Sequence, residues 1–542
     1  MTAVEVPVRV SPDTRPVGGA VTGLAVRQVR WGSLVVIGAV AGMSAIVVGT
    51  YRSTVRDALD ARALAALAEN PAIRTLFGEP VALDDAGGFT VWRTGTFVAV
   101  LVAVWGALTA TRITRGEEDA GRWDLVLAGR LPLRAMVGRH VTVLLAVMVA
   151  VGVAVTAAMA GAGTDLSGAL THGAGIGVIG VFSVAAATLA ALLFPTRAAA
   201  SGATIGLLGS GLLARMVGDG VDALGRLRWL SPFGLLALSR PYDTNRGLPL
   251  AVLATAAVVL VVVALRVAGR RDVRGGLLAV SSGRAPQLAL LGSVGGFAVR
   301  RLLRPLIGWC LGIGAYFLLI GLLAVSMTDF LAANPRFAEI AAQAGFAGLS
   351  RVEGYAASLF ALLAIPVGAF AAVRIGTFAA AEADRRLTLL AGQPLTRRRL
   401  AGAETVATLG GAAVLTTVAG VATWAGTVVV GADLPLGAAL AGVWNTLPVA
   451  LLCLGAAVAA LGWLPRWTGA IGVLPGAGGF LLHVTANSAG LPAWVDNLSP
   501  FAHLATVPQA GVNWPATAVM TGVAGLLVLA GLIGYDRRDL RG

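Results

Sequence analysis

The sequence predicts an all-α polytopic membrane protein of about twelve transmembrane helices, arranged as two parallel six-helix repeats. Three observations lead there: a composition too apolar for water, the spacing of the apolar runs, and a set of motifs that recurs once along the chain. Of the 542 residues, 57% are hydrophobic and 13% charged, against about 45–50% and about 25% in ordinary soluble domains. That much apolar surface cannot be hidden in a water-soluble core, so lipid must be part of the solvent.

A helix crossing the hydrocarbon core needs about 20 mostly apolar residues. Twelve runs qualify, at approximately 33–50, 94–111, 141–161, 173–194, 199–216, 248–267, 305–327, 355–373, 405–430, 436–463, 468–484 and 514–534. The fifth and eleventh are short or Gly-rich. The first run follows a polar stretch carrying Arg9, Arg15, Arg27 and Arg30 and is long enough to span, which reads as an uncleaved first helix.

All 41 basic residues are Arg. Apart from Arg215 and Arg266, near the ends of their runs, they fall in the gaps between apolar runs, with no water-exposed segment long enough to present a basic face, so nucleic acid is not an expected partner. With the N-terminus placed in the cytoplasm, 29 of the 41 Arg lie on the cytoplasmic side. The positive-inside bias therefore predicts a multi-pass protein of the plasma membrane with both termini cytoplasmic.

The repeat is read from ordered matches. Ala25-Val26-Arg27 matches Ala298-Val299-Arg300. Asp119-x-x-Arg122 matches Glu382-x-x-Arg385, and Leu127-Ala128-Gly129 matches Leu390-Ala391-Gly392. Leu230-Ser231-Pro232-Phe233 matches Leu498-Ser499-Pro500-Phe501. Arg270-Arg271-Asp272-Val273-Arg274-Gly275 matches Arg537-Arg538-Asp539-Leu540-Arg541-Gly542. The offsets are 273, 263, 268 and 267 residues, whereas chance matches would scatter. An even number of spans per half gives both copies one orientation, as in parallel repeats around a central pathway. The boundaries follow: residues 1–274 form the first half, 275–294 a Gly-, Ser- and Pro-containing cytoplasmic linker, and 295–542 the second half.

The cytoplasmic loops after the second and eighth spans carry both signs of charge. In the first, Glu117, Glu118 and Asp119 precede Gly121 and Arg122, and the spacing of Glu118, Asp119 and Arg122 puts them on one helix face. Gly129 ends that helix and Pro132, followed by Arg134, opens the next. In the second, Glu382, Asp384 and Arg385 play the same part, followed by Gly392, Pro394 and Arg397. Topology alone asks only for Arg. Acid, helix break and proline recurring in both halves point to a docking surface for a cytoplasmic partner, against the plainer reading of a solvated helix extension. In the outer segment 51–92, Val55, Leu59, Ala63, Ala66 and Leu67 recur at helical spacing, as an interfacial amphipathic helix requires.

Absences narrow the mechanism. None of the twelve runs contains Asp or Glu, although carriers coupled to protons or sodium usually place an ionisable group near the midplane. Cys310 and Cys453 sit in apolar runs, and His140, His172, His483 and His503 lack metal-ligand spacing. His483, the histidine inside a run, has no carboxylate close in sequence and reads as packed or pathway-lining. The chain lacks the GxxxxGK[ST] loop, so it cannot hold ATP by a P-loop.

The loop Glu118-Asp119-Ala120-Gly121-Arg122, Leu127-Ala128-Gly129, Pro132 and Arg134, with its second copy, resembles that of actinobacterial ABC-2-type permeases linked to export of polyketides or other antibiotics. The duplicated six-span layout extends the resemblance over nearly the whole chain. It implies that the loop after the second span is a coupling helix on a nucleotide-binding subunit, and that 18–30 and 292–304 lie along the inner membrane face. It implies no cofactor in this chain, ATP and magnesium on two copies of a separate ATPase, and a lipophilic or amphipathic small-molecule cargo. Asp384 and Arg386 replace Gly121 and Trp123, so the resemblance implies two unequal docking sites. The alternative expectation is a secondary carrier of the twelve-helix, two-by-six type, with a scaffold or membrane enzyme behind it.

Overall fold

The computed structural model describes residues 17–52, 74–75, 77–129, 131–271, 288–335, 348, 351–383, 387, 394–488 and 492–538. Every regular element among them is a helix, as a chain in lipid requires when it must satisfy its backbone internally. The chain divides into two compact units, Met1–Ser282 and Gly283–Gly542.

The first unit contains α1 (Val17–Thr50), α2 (Ala86–Ile113), two short helices α3 (Arg115–Asp119) and α4 (Arg122–Leu127), then α5 (Leu133–Gly161), α6 (Leu166–Leu193), α7 (Arg197–Gly220), α8 (Pro232–Leu238) and α9 (Gly247–Ala268). Side chains that satisfy the first free N–H groups set several starts. Asp85 accepts from Gly87 N and Gly88 N at 2.7 and 3.1 Å to open α2, and Asp165 accepts from Ser167 N and Gly168 N at 3.0 and 3.1 Å to open α6. The core lies where α2, α5 and α6 meet, around Val102, Met148, Ile176 and Ile179.

The second unit contains α10 (Val294–Leu322), α11 (Ala324–Ala333), α12 (Val352–Ala383), α13 (Arg397–Val429), α14 (Leu436–Trp444), α15 (Leu447–Trp463), α16 (Thr468–Val473), α17 (Gly479–Ser488), α18 (Ala493–Asp496) and α19 (Trp514–Arg537). Its larger core cluster is built on Phe317, Phe360, Phe370 and Leu415. Helices α10 and α13 cross at glycines: a Cβ on Gly321 would stand 2.2 Å from Thr423 O, and one on Gly426 2.4 Å from Leu318 O. Such small-residue contacts replace the hydrophobic drive that lipid cannot supply between helices.

Among the described residues eleven helical stretches, counting α2 with α3 and α14 with α15 as one each, are long and apolar enough to span. The run at 468–484 departs from expectation. A π-turn at Leu474–Gly478 separates α16 from α17, where Pro475 removes a backbone donor and the flanking glycines weaken the helix. The Gly-containing run at 199–216, which has no proline, is unbroken within α7. The segments 18–30 and 292–304 also differ from expectation. No break separates them from the first spans, because 18–30 continues into the rest of α1 and 294–304 into the rest of α10. At about 1.5 Å per residue the 34 residues of α1 reach about 51 Å, well beyond the hydrocarbon core.

The overrun corrects a second expectation. The helices extend past the apolar runs and bring carboxylates inside them. Glu404 lies within α13 and Asp219 within α7. Glu404 is clasped by Arg301 at 2.5 Å and Arg374 at 3.0 Å, and Asp219 by Arg215 at 2.6 Å. The interfacial helix expected from Val55 to Leu67, the linker residues 275–287, and Asp384, Arg385 and Gly392 lie outside the described residues.

Candidate functional site

The charged loop of the first unit begins where α2 ends at Thr114. Helix α3 runs only to Asp119, and Gly121 takes the left-handed conformation (φ 71°) that a side chain resists. The break therefore falls at Ala120–Gly121, ahead of Gly129, and it separates Glu118 and Asp119 from Arg122. Helix α4 is held by Trp123, which is buried with its ring 5.6 Å from that of His140 and packs beside Leu133, Met136 and Val137 of α5. Pro132, in extended backbone, caps the start of α5.

The three acids of this loop have different surroundings. Glu118 points inward, pairing with Arg271, just beyond the end of α9, and with Arg115 at 3.3 Å. Both Glu118 and Arg271 side chains are only 2% exposed. Asp119 accepts from Arg115 Nε at 2.9 Å and from the backbone N–H of Arg197 at 2.8 Å, which ties it to the first residue of α7. Arg115 also donates to the carbonyl of Pro195, past the end of α6. Glu117 takes a bidentate bond from Arg122 Nε and Nη2, at 2.6 and 2.8 Å. That pair faces outward, with the Arg122 side chain 60% exposed. Leu125, at 82%, is with Leu230 among the most exposed large apolar side chains of the described residues, and Arg134 is also exposed.

The second unit repeats the inner half of this arrangement. Glu382, near the end of α12, pairs with Arg538, just past α19, and Arg538 Nη1 donates to Leu461 O in α15 at 3.1 Å. Arg397 donates to the carbonyl of Arg538, and Arg398 pairs with Asp536 at 3.0 Å. The equivalent acids are thus Glu118 and Glu382, one residue away from the match of Asp119 to Glu382. Each binds the second arginine of the repeated Arg-Arg-Asp motif.

The far end of each unit repeats as well. Ser231 Oγ donates to Gly211 O at 2.6 Å, and Ser499 Oγ donates to Gly479 O at 2.8 Å. Each Ser also caps the short helical segment that its proline opens. This explains the Leu-Ser-Pro-Phe motif as a staple onto the preceding span. At the offset of these motifs Arg215 corresponds to His483 and Arg228 to Asp496. In the first unit Asp219 lies between the two arginines, 2.6 Å from Arg215 and 3.7 Å from Arg228. In the second unit His483 Nδ1 lies 2.7 Å from Asp496 Oδ1. His483, with no carboxylate close in sequence, therefore has one in space, 13 residues on. Among the described residues no cluster of three or more His, Cys, Asp or Glu side chains could hold a metal.

These features define a duplicated, all-helical membrane protein in which the loop after the second span is clamped from within and exposes a small basic and apolar face. The family model described as multidrug efflux system permease Rv1217c, C-terminal domain, matches residues 19–267 and 291–536, one stretch in each half. The chain is 30% identical over 493 residues to the multidrug efflux system permease protein Rv1217c of Mycobacterium tuberculosis (strain ATCC 25618 / H37Rv), covering 89% of this chain and 87% of that one. The chain belongs to this multidrug efflux permease family.

Proposed function

We propose that this chain is the membrane-spanning subunit of an ATP-driven exporter of lipophilic or amphipathic compounds, of the ABC-2 class. It would work with two copies of a separate ATPase that carries ATP and magnesium, one copy on each half. Both termini and the loops 112–139 and 374–404 would face the cytoplasm. The observation that carries the reading is the division of labour in the α3–α4 loop. Glu118 and Asp119 fix the loop to the rest of its unit, and Arg122 and Leu125 stand out from it. A rigidly held, protruding basic and apolar tip suits insertion into a partner's groove, where a few well-packed side chains carry most of the affinity. The name of the relative, a multidrug efflux permease, supports an export role and a cargo of varied apolar compounds.

The secondary-carrier alternative draws on Glu404, a carboxylate within a span. Its two oxygens face Arg301 and Arg374. A coupling carboxylate must be free to exchange its ion in each cycle, whereas both oxygens of Glu404 are engaged by guanidinium groups. The ATP-driven reading therefore stands ahead. Co-purification tests it: an ATPase encoded beside this chain should be retained by the detergent-solubilised permease. A permease that binds no ATPase yet transports in liposomes on a proton gradient sinks the proposal.

A further inference from the structure

The Glu–Arg pairs have a second consequence, which rests on the proposed function. In each unit one charged network joins the same three places: the end of the second span, the end of the fourth and the end of the last. In the first unit Glu118 binds Arg271 of the last span, while Arg115 binds both Glu118 and the carbonyl of Pro195 beyond the fourth. In the second, Arg538 reaches both Glu382 of the second span and Leu461 O of the fourth. The partners are 153 and 156 residues apart in sequence, so each pair is a tertiary link.

Stability alone does not account for such pairs. Replacing a buried ion pair by apolar residues of similar volume is often neutral or stabilising. Apolar packing is available in the same unit, where Trp123, Leu133, Leu192, Ala264 and Ala268 form one core cluster. Both copies nevertheless carry the charged solution, built with different accessory residues, Arg115 in one and Arg397 in the other. A directional, charge-assisted contact transmits displacement along a defined axis, which a slippery apolar contact does not.

We propose that Arg271 and Arg538 are positioning residues for transport: each makes the last span of its half follow the loop that contacts the ATPase. The contact surface itself, Arg122 and Leu125, is separate from them, so the two roles can be parted. Loss of the clamp should leave the ATPase bound and hydrolysing but disconnect hydrolysis from movement of cargo.

The test uses the whole permease with its ATPase, reconstituted in liposomes, with the fluorescent lipophilic cation ethidium as probe. Arg271→Gln and Arg538→Gln are compared with the wild type and with the conservative variant Arg538→Lys. The expected result is unchanged co-purification of the ATPase, hydrolysis within about twofold of wild type, and ethidium transport per ATP reduced about tenfold or more in the glutamine variants. Arg538→Lys, which keeps a cation opposite Glu382, should retain most of the transport that Arg538→Gln loses. Arg538 is partly exposed at its pair, so Arg538→Gln supplies the test if Arg271→Gln fails to fold. Wild-type transport per ATP in a folded Arg538→Gln variant overturns the proposal, as does a folded Arg538→Lys variant no better than Arg538→Gln. A wild type that neither retains the ATPase nor moves ethidium overturns the functional reading first, and the clamp with it.

Discussion

Glu118 and Arg271 meet as an ion pair with both side chains almost wholly buried, at the junction of the charged loop and the last span of the first half. The pairing changes what mutation of the loop should do. On the sequence alone Glu118 and Asp119 belong to an outward docking surface. In the structure, Glu118→Ala removes a buried carboxylate that Arg271 and Arg115 share, at about 3–5 kcal/mol. Glu117→Ala removes only a pair whose arginine is exposed, worth about 0.2–1 kcal/mol. Thermal unfolding of the two purified variants in detergent should separate them clearly, with Glu118→Ala the unstable one. Equal melting behaviour contradicts the assignment of Glu118 to the interior.

The outward face should behave in the opposite way. Leu125→Asp and Arg122→Glu change side chains that are mostly exposed. They should leave stability within about 0.5 kcal/mol and weaken ATPase association by about 1–3 kcal/mol, the range of a central interface residue. Quantitative co-purification checks both numbers on one preparation. Association at wild-type strength in the two variants places the docking surface elsewhere.

The repeated serines offer a test of the duplication itself. Ser231→Ala and Ser499→Ala each remove one helix cap and one bond to a glycine carbonyl of the preceding span. Each should cost about 1–2 kcal/mol, and the two costs should agree within about 0.5 kcal/mol, since the geometry is shared. A large loss in one unit and none in the other contradicts their equivalence.

The sequence carried the helical membrane class in its composition and showed six apolar runs per half. It also placed Ser231 with Ser499 and Arg271 with Arg538, because local motifs survive duplication. What it missed has one physical origin. Hydropathy sees only the part of a helix that faces apolar surroundings, whereas a helix continues as long as its backbone bonds are met. Glu404 and Asp219 therefore fell outside the apolar runs but inside α13 and α7. Their stabilising arginines differ in legibility. Arg215 is one helical turn from Asp219, but Arg301 is 103 residues from Glu404. Long-range ion pairs leave no periodic trace. The burial of Glu118 was hidden for the same reason, since only the position of Arg271 reveals which way the acid points. The break at Leu474–Gly478 had a local signal, Pro475-Gly476 within a Gly-rich run.

The paired state of Glu404 separates the two energy sources. Glu404→Gln removes a carboxylate that two arginines hold at 2.5 and 3.0 Å. If the residue is structural, the variant loses stability by about 3–5 kcal/mol, and the protein that still folds transports with an unchanged dependence on ATP. If it carries protons, the folded variant loses transport outright. Initial rates normalised to folded protein decide between these outcomes.

Energy dependence of transport by the reconstituted wild type tests the central claim most directly. Permease and ATPase are placed together in liposomes, and ethidium movement is followed with ATP and magnesium alone, then with an imposed proton gradient alone. The account predicts movement with ATP, none with the gradient, and none from liposomes holding the permease without its ATPase. Movement driven by the gradient in the absence of the ATPase contradicts it.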